Sequence, residues 1–280
     1  GWDRLLAFLA LRAIPGVEAV RENAYYRTVR LVKRDGAEVC GWIKAENMPG
    51  QNALRVTVSA SLLAVLPQTL ARVKELFDLS CDPNRICETL QTMDALKPGL
   101  CAPGVRVPGC FDPFEMAVRT ILGQQITVKG ATTLAGRIAR ELGTPIRTEV
   151  NGLTHLFPTA QDICGLEEPV SARLGPLGMI AARSNTISAL AGKLSDGSIR
   201  LAAGADPERT AAQLMEIPGI GAWTAHYMVM RALGWTDAFL ETDYGIKKAL
   251  APRKGKEILA LAESWRPWRS YAMMNLWNSL

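Results

Sequence analysis

Apolar and polar positions follow two different rhythms along this chain. In residues 54–60, Leu54, Val56 and Val58 alternate with Arg55, Thr57 and Ser59, the period-two pattern of a half-buried antiparallel strand. Residues 25–32 and 38–45 share its richness in Val, Tyr, Thr and Trp, and turn signals part the three runs: Arg34-Asp35-Gly36, then Asn47-Met48-Pro49-Gly50-Gln51-Asn52. Ahead of them, residues 5–11 are apolar but bracketed by Asp3, Arg4 and Arg12. That stretch is too short for a signal peptide and has no small-residue cleavage site after it, so it predicts an amphipathic helix. With a helix around 68–79, the N-terminal part reads as a small α+β unit.

From Pro83 onward the strand rhythm disappears. Helices are predicted over 111–120, 127–142, 181–194, 207–215, 222–233, 244–250, 255–263 and 267–278. Several open on a capping residue or proline and close near a glycine, as Asp206-Pro207 and Leu233-Gly234 do. Residues 96–109, with Lys97-Pro98-Gly99, Pro103-Gly104 and Pro108-Gly109, form a turn-rich connector. No fixed-period repeat, heptad array or low-complexity run is present. The pattern is a β-containing cap followed by a large helical body.

A length of 280 residues suggests two domains or three small ones, and 48% hydrophobic with 21% charged residues is ordinary for a globular protein. The 32 Lys and Arg against 27 Asp and Glu give a net charge of +5, which permits a polyanionic partner without requiring one. The six cysteines at 40, 81, 87, 101, 110 and 164 include no C-x-x-C pair. They read as reduced thiols of a cytosolic protein, with a disulfide framework as the alternative. Two histidines, His155 and His226, are too few for a metal cluster, so no zinc site is expected. A chain that opens on Gly1 instead of Met is expected to be a trimmed form or a piece of a longer polypeptide.

The densest chemical signal runs from Met215 to Asp243. A Pro218-Gly219-Ile220-Gly221 turn, anchored by Ile217 and Ile220, opens a helix, and a lone carboxylate, Asp243, follows. Glycines leave backbone N–H groups open to approach, and a helix N-terminus adds partial positive charge. The turn therefore reads as a phosphate grip, with Thr224 as a further donor. The plainer alternative is a structural connector, because such turns before helices are common. The spacing is neither a dinucleotide fingerprint nor a triphosphate-binding loop. Asp243 could equally cap the helix that starts at Tyr244, and the two roles are compatible. Trp223 and Tyr227, four residues apart, share a helix face. With Tyr244 and Trp277 they would gather near Asp243, or else serve as plain core aromatics. Lys247, Lys248, Arg253, Lys254 and Lys256 form a basic cluster, either a solvated face or a patch flanking DNA.

These residues carry a resemblance. The segment from Leu214 to Asp243 resembles the helix-hairpin-helix, Gly/Pro-rich loop and Asp of the DNA glycosylase superfamily. Phe111-Asp112-Pro113-Phe114-Glu115, Ile121-Leu122-Gly123-Gln124-Gln125 and Trp265-Arg266-Pro267-Trp268-Arg269-Ser270-Tyr271-Ala272 extend it over nearly the whole chain. The last of these and the N-terminal α+β unit are most similar to the bacterial 3-methyladenine DNA glycosylase II family. The resemblance implies an α+β fold: a small N-terminal antiparallel-sheet α/β domain over 1–96, then a mostly α-helical two-lobed body over 97–280 with its helix-hairpin-helix at about 207–233.

The implied chemistry is hydrolysis of the N-glycosidic bond of alkylated bases such as 3-methyladenine, flipped from duplex DNA at a cost of a few kcal/mol. Aromatic stacking recovers about 1–3 kcal/mol per base. By resemblance the base pocket comprises Trp223, Tyr227, Tyr244, Trp277 and, from the first domain, Phe8. Asp243 is the catalytic carboxylate, stabilising positive charge on the sugar and orienting or deprotonating water. Backbone near Gly219 and Gly221, with Thr224 and Lys247, would hold phosphate. Main-chain carbonyls of Met215, Ile217 and Ile220 would hold a monovalent cation, Na or K, and the chemistry needs no cofactor. Strand-cleaving relatives carry a lysine where this chain has Trp223, so no imine with the sugar is expected and an abasic site is the product. The C-terminal four-cysteine cluster that holds iron–sulfur in some relatives is missing. Gln125 stands where the family places an aliphatic wedge, exchanging apolar fill for an amide that can hydrogen-bond the orphaned base. The expected setting is a monomer acting on double-stranded DNA in a bacterial cytoplasm, away from membranes. Two alternatives stay open: a non-enzymatic DNA-binding hairpin module, and a glycosylase for oxidised or mismatched bases.

Overall fold

A computed structural model describes residues 1–280. In chain order the elements are α1 (Trp2–Ala10), β1 (Glu18–Arg21), β2 (Ala24–Val32), β3 (Glu38–Met48), β4 (Ala53–Val58), α2 (Leu66–Leu76), α3 (Pro83–Leu90), α4 (Pro113–Leu122) and α5 (Val128–Leu142). There follow β5 (Thr144–Pro145), β6 (His155–Leu156), α6 (Ala160–Cys164), α7 (Val170–Leu174), α8 (Ala181–Ser195), α9 (Pro207–Met215), α10 (Ala222–Leu233), α11 (Tyr244–Ala249), α12 (Gly255–Glu263) and α13 (Arg269–Asn278). No helix is long and apolar enough to cross a membrane.

The contacts divide the chain into two compact units that interleave in sequence. One combines residues 2–73 with 114–199, and the other combines 74–113 with 200–280 and Gly1. The first carries the expected antiparallel sheet, with strand order β1-β2-β3-β4. Strand β1 has only four residues, too few for an alternation to show. It is held by a two-residue hairpin loop in which Glu22 and Asn23 both take left-handed φ, 52° and 56°, the geometry that matches the twist of paired strands. Ile43, at the centre of β3, is fully buried and pairs with Arg27 on β2 and Val58 on β4.

A buried ion cluster ties α4 to this sheet. Glu18 accepts hydrogen bonds from the Ile14 amide at 2.9 Å, the Tyr25 hydroxyl at 2.5 Å and Arg119 at 2.9 Å. Glu115 accepts from Arg27 at 2.6 Å and Arg119 at 3.2 Å. Burial alone would raise the Glu18 carboxyl, but the guanidinium groups of Arg119 and Arg27 outweigh it and hold the group below its ordinary value.

The second unit is helical. Its segment 74–113 is joined to α13 by Asp78, which accepts from the Tyr271 hydroxyl and the Val107 amide, both at 3.1 Å. Burial pushes the Asp78 carboxyl above the usual range despite these bonds, and Tyr271 is raised too, by burial and by the facing carboxylate. A Cβ at Gly109 would lie 2.3 Å from the Glu75 carbonyl oxygen, so only glycine lets the connector return this close to α2.

Candidate active site

The hairpin between α9 and α10 is built by alternating burial. Ile217 and Ile220 are buried, while Pro218, Gly219, Gly221 and Ala222 are exposed. The Ile220 amide closes the turn on the Ile217 carbonyl at 3.0 Å, and Gly219 sits at φ +92°, a conformation costly for any residue with a Cβ. Gly221 is the N-cap of α10 in extended geometry, with nothing within 4 Å of where a Cβ would be. The turn thus rests on two isoleucines and turns its backbone to solvent at a helix N-terminus, where the first amides lack intrahelical partners. Thr224, in the first turn of α10, is 5% exposed.

Asp243 caps α11: its Oδ1 accepts from the Ile246 amide at 3.0 Å. The same carboxylate is gripped by two indoles. Trp277 Nε1 donates to Oδ1 at 2.9 Å and Trp223 Nε1 donates to Oδ2 at 3.0 Å. Trp223 comes from the first turn of α10 and Trp277 from the last turn of α13, so residues 34 and 20 positions from Asp243 orient its two oxygens. Neutral donors on both oxygens hold the anion in place without neutralising it.

The aromatic set largely converges here. Trp223 and Tyr227 stack with centroids 5.1 Å apart and 7° between planes, and Tyr227 and Trp277 lie 6.4 Å apart at 56°. Tyr244 is the exception. It is 79% exposed, because it occupies the first position of α11 outside the packed wall. Phe8 lies on α1 in the sheet-bearing unit, with the Arg12 guanidinium 3.7 Å above its ring. Gln125 is exposed between α4 and α5 in left-handed geometry, φ 56°, and Arg183 donates to the neighbouring Gln124 carbonyl at 2.7 Å. Lys247 is exposed in the last turn of α11, beside Lys248.

Two further residues belong to this site. Arg231, 8% exposed, donates to the Tyr227 hydroxyl at 2.8 Å, to the Gly109 carbonyl at 2.9 Å and to the Pro108 carbonyl. It fixes the outer edge of Tyr227 to the connector, and no local pattern in the sequence marks it. Gly245 leaves room for the carboxylate: a Cβ there would lie 3.0 Å from Trp277 Cδ1 and 3.1 Å from Asp243 Oδ1. A glycine two residues after a capping acid, inside a helix with no turn to make, is the one sequence signal for it.

The backbone oxygens expected to hold a cation are of the right kind. Met215 ends α9, where carbonyls lack helical partners, and Ile217 spends only one lone pair on Ile220. No group of three or more His, Cys, Asp or Glu is placed to hold a metal ion.

Comparison with known proteins agrees with this architecture. Residues 1–112 match the family model of the AlkA N-terminal domain. The chain is 34% identical over 276 residues to DNA-3-methyladenine glycosylase 2 of Escherichia coli, covering 99% of this chain and 93% of that protein. It is 36% identical over 284 residues to a probable bifunctional transcriptional activator/DNA repair enzyme AlkA of Mycobacterium tuberculosis, of which it spans 55%, about half the length. In fold it is similar to a 3-methyladenine DNA-glycosylase from Archaeoglobus fulgidus, with a TM-score of 0.72 at 20% identity, covering 99% of this chain and 94% of that one. A hairpin followed by an indole-gripped aspartate, on a chain matched end to end at this identity, places the protein in the AlkA family, that of DNA-3-methyladenine glycosylase 2.

Proposed function

We propose that this chain is a monofunctional DNA glycosylase that hydrolyses the N-glycosidic bond of alkylated purines in duplex DNA and leaves an abasic site. The observation that carries the reading is the Asp243 carboxylate, held by Trp223 at 3.0 Å and Trp277 at 2.9 Å beside a stacked aromatic wall. As the base departs, positive charge grows on the deoxyribose, and a fixed carboxylate stabilises it with no reorganisation at the moment of reaction. An alkylated purine is cationic and leaves readily, so one carboxylate suffices without a strong general acid. The faces of Trp223, Tyr227 and Trp277 attract such a base by cation–π interaction.

The exposed turn at Gly219 and Gly221 would grip a phosphate through its amides, with Lys247 adding long-range attraction. The carbonyls of Met215, Ile217 and Ile220 would hold a monovalent cation, which would add positive charge near that phosphate. Gln125 would fill the gap left by the flipped base and offer an amide to its partner. The protein would act as a monomer on duplex DNA carrying alkylated bases.

The test is base release from methylated duplex DNA by the wild-type chain and Asp243→Asn, followed by strand analysis with and without alkali. Release of methylpurines by the wild type alone, with strand breaks only after alkali, is expected. Duplex binding by both proteins without any release would replace this reading with that of a binding module.

A further inference from the structure

No disulfide joins the six cysteines, and two of them face each other. Cys87, on α3, and Cys101, in the connector that follows, have sulfurs 3.5 Å apart. The other thiols have different company: Cys81 takes a hydrogen bond from Arg106, and Cys164 lies beside the Ser195 hydroxyl. Cys101 is held in place on both sides. Its amide donates to Asp94 at 2.9 Å, and the next amide, Ala102, donates to Asn275 Oδ1 at 3.2 Å. Asn275 is buried on α13, two residues before the indole that grips Asp243. A dithiol is therefore joined to the catalytic carboxylate through two hydrogen bonds and about half a helical turn.

We propose that Cys87 and Cys101 are a modification site for peroxides, an oxidisable dithiol that closes to an intramolecular disulfide and, through Ala102 and Asn275, alters the setting of Trp277 on Asp243. The Cys87 thiolate attacks a peroxide oxygen, the O–O bond breaks, and a sulfenic acid forms at Cys87 with release of hydroxide. The Cys101 sulfur then displaces the sulfenic oxygen as water, giving the disulfide. In total two thiols and one hydrogen peroxide give one disulfide and two waters. Cys101 is buried and Cys87 half-buried, so peroxide reaches Cys87 first and Cys101 takes the second step; burial also pushes the Cys101 thiol up. Bond formation brings the sulfurs from 3.5 Å to the covalent S–S distance of about 2 Å. That movement draws on the segment that carries the Ala102–Asn275 bond. A free thiol pair leaves the bond relaxed.

The experiment treats the folded full chain with hydrogen peroxide and reads thiol content, intact mass and the cross-linked peptide, then base release from methylated duplex DNA before and after a dithiol reductant. The wild type is expected to lose two thiols and the mass of two hydrogens, with Cys87 joined to Cys101. Cys101→Ala should instead accumulate a dimedone-reactive sulfenic acid at Cys87, and Cys87→Ser should do neither. Base release by the oxidised wild type should fall about threefold or more and return on reduction, while Cys87→Ser stays unchanged under peroxide. Absence of the cross-link in folded wild type, or a cross-link with unchanged base release, overturns the proposal. The cross-link is independent of the glycosylase reading, whereas the activity change rests on it. A reduced protein that releases no base therefore fails that reading and leaves the disulfide to be judged on mass alone.

Discussion

The indole of Trp277 donates to Oδ1 of Asp243 at 2.9 Å, so an aromatic side chain that could stack on a base also aims the carboxylate. Trp277→Phe separates the two roles, because it keeps a ring and removes the donor. A hydrogen bond to a charged group is worth about 1.5–3 kcal/mol, so base release should fall roughly 10- to 100-fold. Substrate affinity should change less. Single-turnover rates and binding measured on one methylated duplex would decide it, and an equal loss in both would make Trp277 a stacking residue only.

Asp243 both caps α11 and faces two indoles, and substitution can tell cap from catalyst. Asn caps a helix as well as Asp does, whereas Ala loses about 0.5–2 kcal/mol of cap energy. Asp243→Asn should therefore abolish base release while keeping more of its stability than Asp243→Ala. It will not match the wild type fully, since the amide nitrogen confronts one of the indole N–H groups with a second donor. Paired melting curves and release assays on both variants check this. Retained activity in Asp243→Asn would remove the carboxylate from the chemistry.

Much of this architecture is legible in the amino-acid sequence, and the reasons are specific. Strand β4 alternates over six residues, α9 opens on the Asp206 cap, α10 closes on Gly234, and α8, α9, α10 and α12 each run for nine residues or more. Asp243, Trp223, Tyr227 and Trp277 follow from one motif and its resemblance. The features that sequence hides are either short or long-range. Strand β1 and helices α6 and α7 span four or five residues, two strand periods or little more than one helical turn, too short for either rhythm to stand out. Arg231 reaches carbonyls 122 and 123 positions away, a distance no local pattern encodes. The interleaving of 74–113 with 200–280 is of the same kind. For Tyr244 and Thr224 the sequence gives a helical position but not the exposure found, 79% and 5%.

Gly221 and Gly245 should respond oppositely to alanine. At Gly221 the added Cβ meets nothing within 4 Å and φ is −87°, so stability should hold. That Cβ would stand on the exposed turn proposed for phosphate, so duplex affinity should drop several-fold. At Gly245 the Cβ would press on Trp277 Cδ1 and Asp243 Oδ1 at 3.0 and 3.1 Å. Base release should fall about tenfold or more there with DNA affinity little changed. Affinity by fluorescence anisotropy beside release rates would expose either glycine as a bystander.

Arg231 should matter through Tyr227. Its guanidinium joins the Tyr227 hydroxyl to the Gly109 and Pro108 carbonyls inside the helical unit. Arg231→Met would leave these buried acceptors short of a donor, at about 1–3 kcal/mol for each group left unmatched. Tyr227→Phe removes only the outermost bond and keeps the ring on Trp223. The expected order of thermal stability is wild type, then Tyr227→Phe, then Arg231→Met, with Tyr227→Phe retaining most of its base release. A Tyr227→Phe protein as inactive as Asp243→Asn would give the hydroxyl a direct role.

The Glu18 cluster predicts how the sheet-bearing unit fails in acid. Burial favours a protonated Glu18, yet Arg119 and Arg27 hold the carboxyl below its ordinary 4.5. A carboxyl depressed in the folded chain binds its proton less readily there than in the unfolded chain, so its contribution is complete above about 4.5. It is lost as the pH falls from there through the folded value. Asp78 in the helical unit has the opposite sign: raised by burial, its contribution is present below its ordinary 3.8 and is lost as the pH rises through its folded value. Glu18→Gln should cost roughly 3–5 kcal/mol at neutral pH, because it strips the countercharge from Arg27 and Arg119. It should also flatten the decline of melting temperature below pH 4.5, while Asp78→Asn should leave that decline in place. Melting curves from pH 3 to 7 for the three proteins test the assignment. An unchanged acid limb in Glu18→Gln would show that other carboxylates control it.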